Sequence, residues 1–173
     1  MITRKVLAVF AIACGVLTAA TVPAQAAAEN FCHQSLDTGK VECFDTEAAL
    51  RNYEAGVQSI TLVTMFNGYG AKGASGYRNF ASAYGRDYCT LPADGHEGSS
   101  GDLRQERYNT GVALDRTISS VVVRPGVNCV LWLADDFGFR GNTVILVGGT
   151  CADLRTCTGG GNWDNRARSF YFT

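Results

Sequence analysis

The sequence predicts a mainly β fold: a Greek-key sandwich with one short N-terminal helix and three disulfides. Three observations predict it. Short runs of strand-forming residues recur between glycine- and proline-marked turns, only one segment has the pattern of a helix, and six cysteines follow a leader-like start.

The leader comes first in the chain. Arg4 and Lys5 give a positive start, Val6 to Val22 is apolar or small apart from two threonines, and Pro23-Ala24-Gln25-Ala26 offers an A-x-A cleavage site. That three-part layout is a secretory signal peptide over residues 1–26, with cleavage after Ala26 or, alternatively, after Ala28. The apolar run is short for a membrane span, and its second half is Ala, Thr and Gly. No later stretch approaches a span, so the expectation is a secreted, extracellular chain without a membrane partner.

Charge narrows the partners. Lys and Arg total 15 and Asp and Glu 16, a net charge of −1 that becomes about −3 once Arg4 and Lys5 are removed. There is no basic stripe, so nucleic acid and anionic membrane surfaces are excluded as expected partners.

Cys14 leaves with the leader. Cys32, Cys43, Cys89, Cys129, Cys151 and Cys157 remain, an even number in an exported chain, and read as three disulfides. No tight C-x2-C spacing argues for zinc. Cys32 and Cys43 flank an Asp37-Thr38-Gly39 turn and are expected to pair; the connectivity of the other four stays open.

Residues 27–56 read as an N-terminal hairpin and helix extension. Leu36 to Lys40 forms the turn. Asp45 or Thr46 caps a helix, Glu47 suits its positive end, and Gly56 closes it. Ala49, Leu50 and Tyr53 share one face, which should dock on the sheet.

Residues 57–173 form the Greek-key β domain. Strands are expected at Ile60–Phe66, Ile118–Val123, Cys129–Leu133, Thr143–Val147 and Ser169–Phe172, with Pro125-Gly126 as a turn. Gly68, Gly70, Gly73 and Gly76 suggest an irregular hairpin. Residues 92–111 read as a long, exposed, mobile loop.

Two segments 49 residues apart read alike: Leu114-Asp115-Arg116-Thr117-Ile118-Ser119-Ser120-Val121 and Trp163-Asp164-Asn165-Arg166-Ala167-Arg168-Ser169-Phe170. Before the second lies Trp132-Leu133-Ala134-Asp135-Asp136-Phe137-Gly138-Phe139-Arg140-Gly141, an aromatic strand, an acidic turn and then aromatic-x-Gly. With these motifs residues 60–173 resemble the βγ-crystallin superfamily, and in style its bacterial secreted members, which include peptidase inhibitors. The extension lies outside the resemblance.

The resemblance implies a calcium site built from Asp115 and Ser119 in one copy and from Asp164 and Asn165 in the other. Calcium favours several hard oxygens at flexible geometry. Both copies depart from the family pattern: Arg116 replaces an acid or amide, and Arg168 replaces a hydroxyl ligand. A guanidinium only donates and carries positive charge, so it would repel the ion. A plain structural reading stands beside this one, in which Ser120 and Ser169 bond backbone at strand starts and Asp164 holds a turn.

Catalytic signals are sparse. The histidines are His33 and His96, and Asp94-Gly95-His96-Glu97 reads as a solvated loop. No nucleophile elbow, H-E-x-x-H helix or P-loop occurs. Asp135-Asp136 reads as a hairpin turn, because adjacent carboxylates do not face each other across a substrate. The expectation is therefore a secreted, monomeric, non-enzymatic binding protein, first of all an inhibitor of an extracellular peptidase. The alternatives are a calcium-stabilised structural protein, or a toxin or cell-wall module using Tyr69, Tyr77, Phe80, Tyr84 and Tyr88.

Overall fold

The computed structural model describes residues 31–84, 88–89 and 98–173. The leader, His96 and the 92–97 part of the expected loop lie outside these residues. The architecture is the two-sheet sandwich with one short helix that the sequence predicts.

The extension forms a hairpin and a helix. Strands β1 (Phe31–Ser35) and β2 (Val41–Phe44) pair antiparallel, with Cys32 directly opposite Cys43, and the two form a disulfide. Helix α1 (Glu47–Gly56) begins where the Thr46 side chain accepts from the Ala49 N–H. Leu50 is its buried anchor.

The remaining strands are β3 (Ile60–Phe66), β4 (Tyr77–Ser82), β5 (Ser99–Ser100), β6 (Ser120–Val123), β7 (Leu131–Ala134), β8 (Thr143–Leu146), β9 (Gly149–Cys151) and β10 (Ser169–Phe172). The first sheet runs β2-β1-β4-β3-β6-β9 and the second β5-β10-β7-β8. Without the hairpin, the first sheet reads β4-β3-β6-β9 and the second, in reverse, β8-β7-β10-β5. One pattern thus occurs twice. In each half the third strand crosses over to complete the other half's sheet, so neither four-strand unit is closed alone.

The core fills the space between the sheets. Leu62, Met65, Phe80, Ile118, Leu131, Leu133, Trp163, Phe170 and Phe172 are all buried there. Phe80 meets Phe170 edge-on at 4.7 Å across the sandwich. Cys89–Cys129 and Cys151–Cys157 are the other two disulfides.

Three expectations need correction. The described part of the 92–111 loop is no exposed excursion: β5 pairs with β10, and Leu103 and Tyr108 are buried at 0% and 2% exposure. Its polar composition hides two core anchors. The strand expected at Cys129–Leu133 starts two residues later, at Leu131. The strand expected from Ile118 starts at Ser120, because the preceding residues form a tight corner between the two halves.

Candidate functional site

Each half builds the same corner, and the backbone pairs the corners across a local two-fold. Arg116 N–H donates to Ala167 O and Asn165 N–H donates to Ile118 O, both at 3.0 Å. Leu103 N–H donates to Arg168 O, and Leu154 N–H to Ser119 O. Arg116 and Asn165 hold left-handed backbones, with φ of 54° and 56°. Asn tolerates that region far better than Arg.

A buried serine ties each corner to its hairpin. The Ser120 hydroxyl donates to Gly68 O and accepts from the Ala71 N–H. The Ser169 hydroxyl donates to Asp136 O and accepts from the Phe139 N–H. Gly141 belongs to the second hairpin with φ of 83°, and a Cβ there would sit 2.3 Å from Asp135 Oδ1. The aromatic-x-Gly motif therefore needs glycine both for its backbone and for this close approach.

A second repeat, Asp102-Leu103-Arg104 and Asp153-Leu154-Arg155, completes the corners. Both leucines are fully buried. Each arginine bonds the aspartate two residues before it. The Arg104 bond is the main cause holding the Asp102 carboxyl down to about 2, and the Arg155 bond likewise lowers Asp153. Each guanidinium also lies 4.0 Å over an aromatic ring of the opposite half's hairpin: Arg104 on Phe137 and Arg155 on Tyr69. Sequence reading missed this repeat, although the two D-L-R triplets, 51 residues apart, carry it openly.

The corners differ in what fills them. In the first, Asp115 faces Arg168. The Arg168 Nε lies 3.7 Å from Asp115 Oδ1 and Nη1 lies 3.8 Å from Asp136 Oδ1, while the guanidinium stacks 4.4 Å from Phe137. Asp115 Oδ1 and Arg168 Nε are both buried without a hydrogen bond, so their charges compensate each other through space.

In the second corner Ser119 occupies the place of Arg168, and Gly68 that of Asp136. The Ser119 hydroxyl donates to Asn165 Oδ1 at 3.4 Å. Tyr69 donates its phenol to Asp164 Oδ2 at 2.7 Å, and this bond chiefly raises the phenol's pKa. Asp164 Oδ1 is buried with no hydrogen-bond partner.

A hard cation fits these corners unequally. The first already holds a fixed positive group between its carboxylates and does not fit. The second offers a hydroxyl, an amide and an orphaned carboxylate oxygen with no guanidinium between them, its nearest arginine, Arg155, being held by Asp153 and over the Tyr69 ring, and does fit. Among the described residues, no three His, Cys, Asp or Glu side chains gather as metal ligands. A cation there would rest on one carboxylate, with Asn165 and Ser119 beside it.

The other sequence candidates scatter. Asp135 accepts from Asn142 and from Arg166. Burial raises its carboxyl, but these bonds outweigh burial and lower it. Asp136 caps the Phe137 N–H. Phe80 and Tyr88 are core, whereas Tyr69 and Tyr84 are exposed, so the five aromatics form no single platform for sugar.

No protein-family model matches the chain, and neither does any curated protein. Solved structures do. The chain is similar to the N-terminal domain of protein S, at 22% identity and a TM-score of 0.40, over 64% of this chain and 93% of that one. It is similar to a βγ-crystallin domain from Flavobacterium johnsoniae, at 19% identity and a TM-score of 0.41, over 65% and 93%. It is also similar to a βγ-crystallin from Ciona intestinalis, at 21% and 0.40, over 64% and 98%. The doubled strand order above stands on this chain's own pairings.

Proposed function

We propose that this chain is an exported, non-enzymatic Greek-key binding domain that takes one calcium ion at the Asp164 corner, its other corner being closed by Arg168. The observation that carries this reading is the buried, unpartnered Asp164 Oδ1, in the corner where Ser119 stands in place of arginine. Asp164, Asn165 and Ser119 are the side chains that would hold the ion. Bound calcium would supply structural cross-linking of the two halves and no chemistry.

Export agrees with three disulfides and the leader-like start. Among the described residues no helix is long and apolar enough to cross a membrane. One carboxylate implies weak binding, with a dissociation constant on the order of 0.1–1 mM, as in extracellular modules. Melting in 10 mM calcium and in chelator tests this. A gain of about 1.4–2.7 kcal/mol, or roughly 3–10 °C, is expected; identical melting points would refute the calcium reading.

Peptidase inhibition is the second reading. The observation favouring it is the exposed Arg155-Thr156-Cys157 segment, stapled by Cys157 to buried Cys151. A loop held in advance loses little entropy when it enters a groove. Titration against a panel of secreted peptidases tests it, and unaltered activity at micromolar protein would remove it.

A further inference from the structure

A cavity of about 590 Å³ lies away from both corners, between α1 and the outer face of the first sheet. It falls within the roughly 300–1,000 Å³ of small-molecule sites. The extension creates it: α1 supplies the Leu50 and Glu54 wall over a floor of β3 and β4.

The floor is two rungs of a ladder with graded chemistry, Phe66 paired with Tyr77 and Thr64 with Asn79. The next rung, Thr61 paired with Ala81, lies just beyond the lining. The Phe66 and Tyr77 rings, 6.4 Å apart, make an aromatic end. In the middle rung the Thr64 hydroxyl donates to Asn79 Oδ1 at 2.8 Å. Among the described residues nothing accepts from the Asn79 amide NH2.

Glu54 marks the far end. Its Oε1 takes bonds from Thr61 Oγ1 at 2.9 Å and His33 Nδ1 at 3.1 Å. Its Oε2 has no partner among the described residues. Burial pushes this carboxyl up, but the His33 and Thr61 bonds, with a weaker pull from Arg124, outweigh burial and hold it below its ordinary value. Glu47, also on the wall, is ion-paired with Arg51, whereas Glu54 meets His33 through Oε1 alone and keeps Oε2 for a ligand.

We propose that this groove binds a small amphiphilic organic cation, its apolar body on the Phe66–Tyr77 rung and its ammonium group at Glu54. The rungs set the two ends about 13 Å apart at the backbone, and side chains reach inward from both. An anion would face the Glu54 carboxylate. A neutral apolar molecule would strip water from Oε2 without replacing its hydrogen bonds. A cation satisfies that oxygen, and the rings favour it further.

The test is an amide-resolved NMR titration of the disulfide-bonded chain with 4-phenylbutylamine, 4-phenylbutanol and 4-phenylbutyrate. The amine should shift the Asn79 side-chain NH2 and the Tyr77 amide, binding at least ~10-fold tighter than the alcohol, and the carboxylate should shift neither. Glu54→Gln, which keeps an acceptor for Thr61, should bring the amine down to the alcohol's affinity. Ala74→Phe, at an exposed rim position, should block the amine and the alcohol alike without touching Glu54. Equal binding of amine and carboxylate, absence of shifts at Asn79, or amine binding unchanged in both folded variants would overturn the proposal.

Discussion

The Asp115 and Asp164 corners share a backbone and differ in charge balance. Both have a left-handed residue, a buried serine tie and an arginine stacked on an aromatic ring. One carboxylate meets a guanidinium carried by the chain itself; the other has a buried oxygen that nothing in the described chain satisfies. A duplicated fold thus conserves the groups its backbone needs and leaves the charged filling free to change. The serine ties hold each hairpin to its corner, whereas position 119 or 168 decides what faces each carboxylate.

The largest expected effect tests what the corners have in common. Ser120→Ala and Ser169→Ala each take the serine partner from a part-buried N–H and a part-buried carbonyl. Each should cost about 1–3 kcal/mol, and the two costs should match. Urea unfolding of both variants measures this, and a cost in one half alone would break the equivalence. Asp164→Asn should next abolish the calcium-dependent gain of about 1.4–2.7 kcal/mol, which melting with and without calcium would read.

Arg168→Ser tests the difference directly. It leaves Asp115 without its partner and should cost about 1–2 kcal/mol in chelator, below the cost for a fully buried pair because both groups are partly exposed. Combined with Arg116→Asn, it should regain stability in calcium beyond the wild-type gain, since the first corner then carries the amide and hydroxyl of the second. Arg116→Asn should add about 0.5 kcal/mol by easing the left-handed backbone, measured as a raised urea midpoint.

The pH dependence should be shallow. Asp102, Asp153, Asp135 and Glu54 have lowered folded-state pKa values, Asp102 to about 2. Groups of this kind add stability above their unfolded values near 4 and lose it as pH falls through the folded values. The melting point should be flat above about pH 5 and fall between about pH 4 and 2; a fall setting in above pH 5 would contradict this.

Much of this fold is legible in the sequence. Ile60–Phe66 and Ser169–Phe172 are strands as their composition demands, and Thr46 caps α1 as an N-terminal hydroxyl should. The 49-residue repeat marks both corners in advance. What is not legible is nonlocal. Nothing local tells β5 and β9 to complete the opposite half's sheet, or tells Leu103 to sit in the core of a polar stretch. The Arg168 substitution is visible, but its consequence is not: only its placement between Asp115 and Asp136 shows a guanidinium standing where a cation would be wanted.

The most direct test of the unequal corners is the calcium stoichiometry of the chain by titration calorimetry, beside Asp164→Asn and the double variant Arg116→Asn/Arg168→Ser. One ion is expected for the wild type, none for Asp164→Asn and two for the double variant Arg116→Asn/Arg168→Ser. Two ions in the wild type, or one surviving in Asp164→Asn, would contradict this.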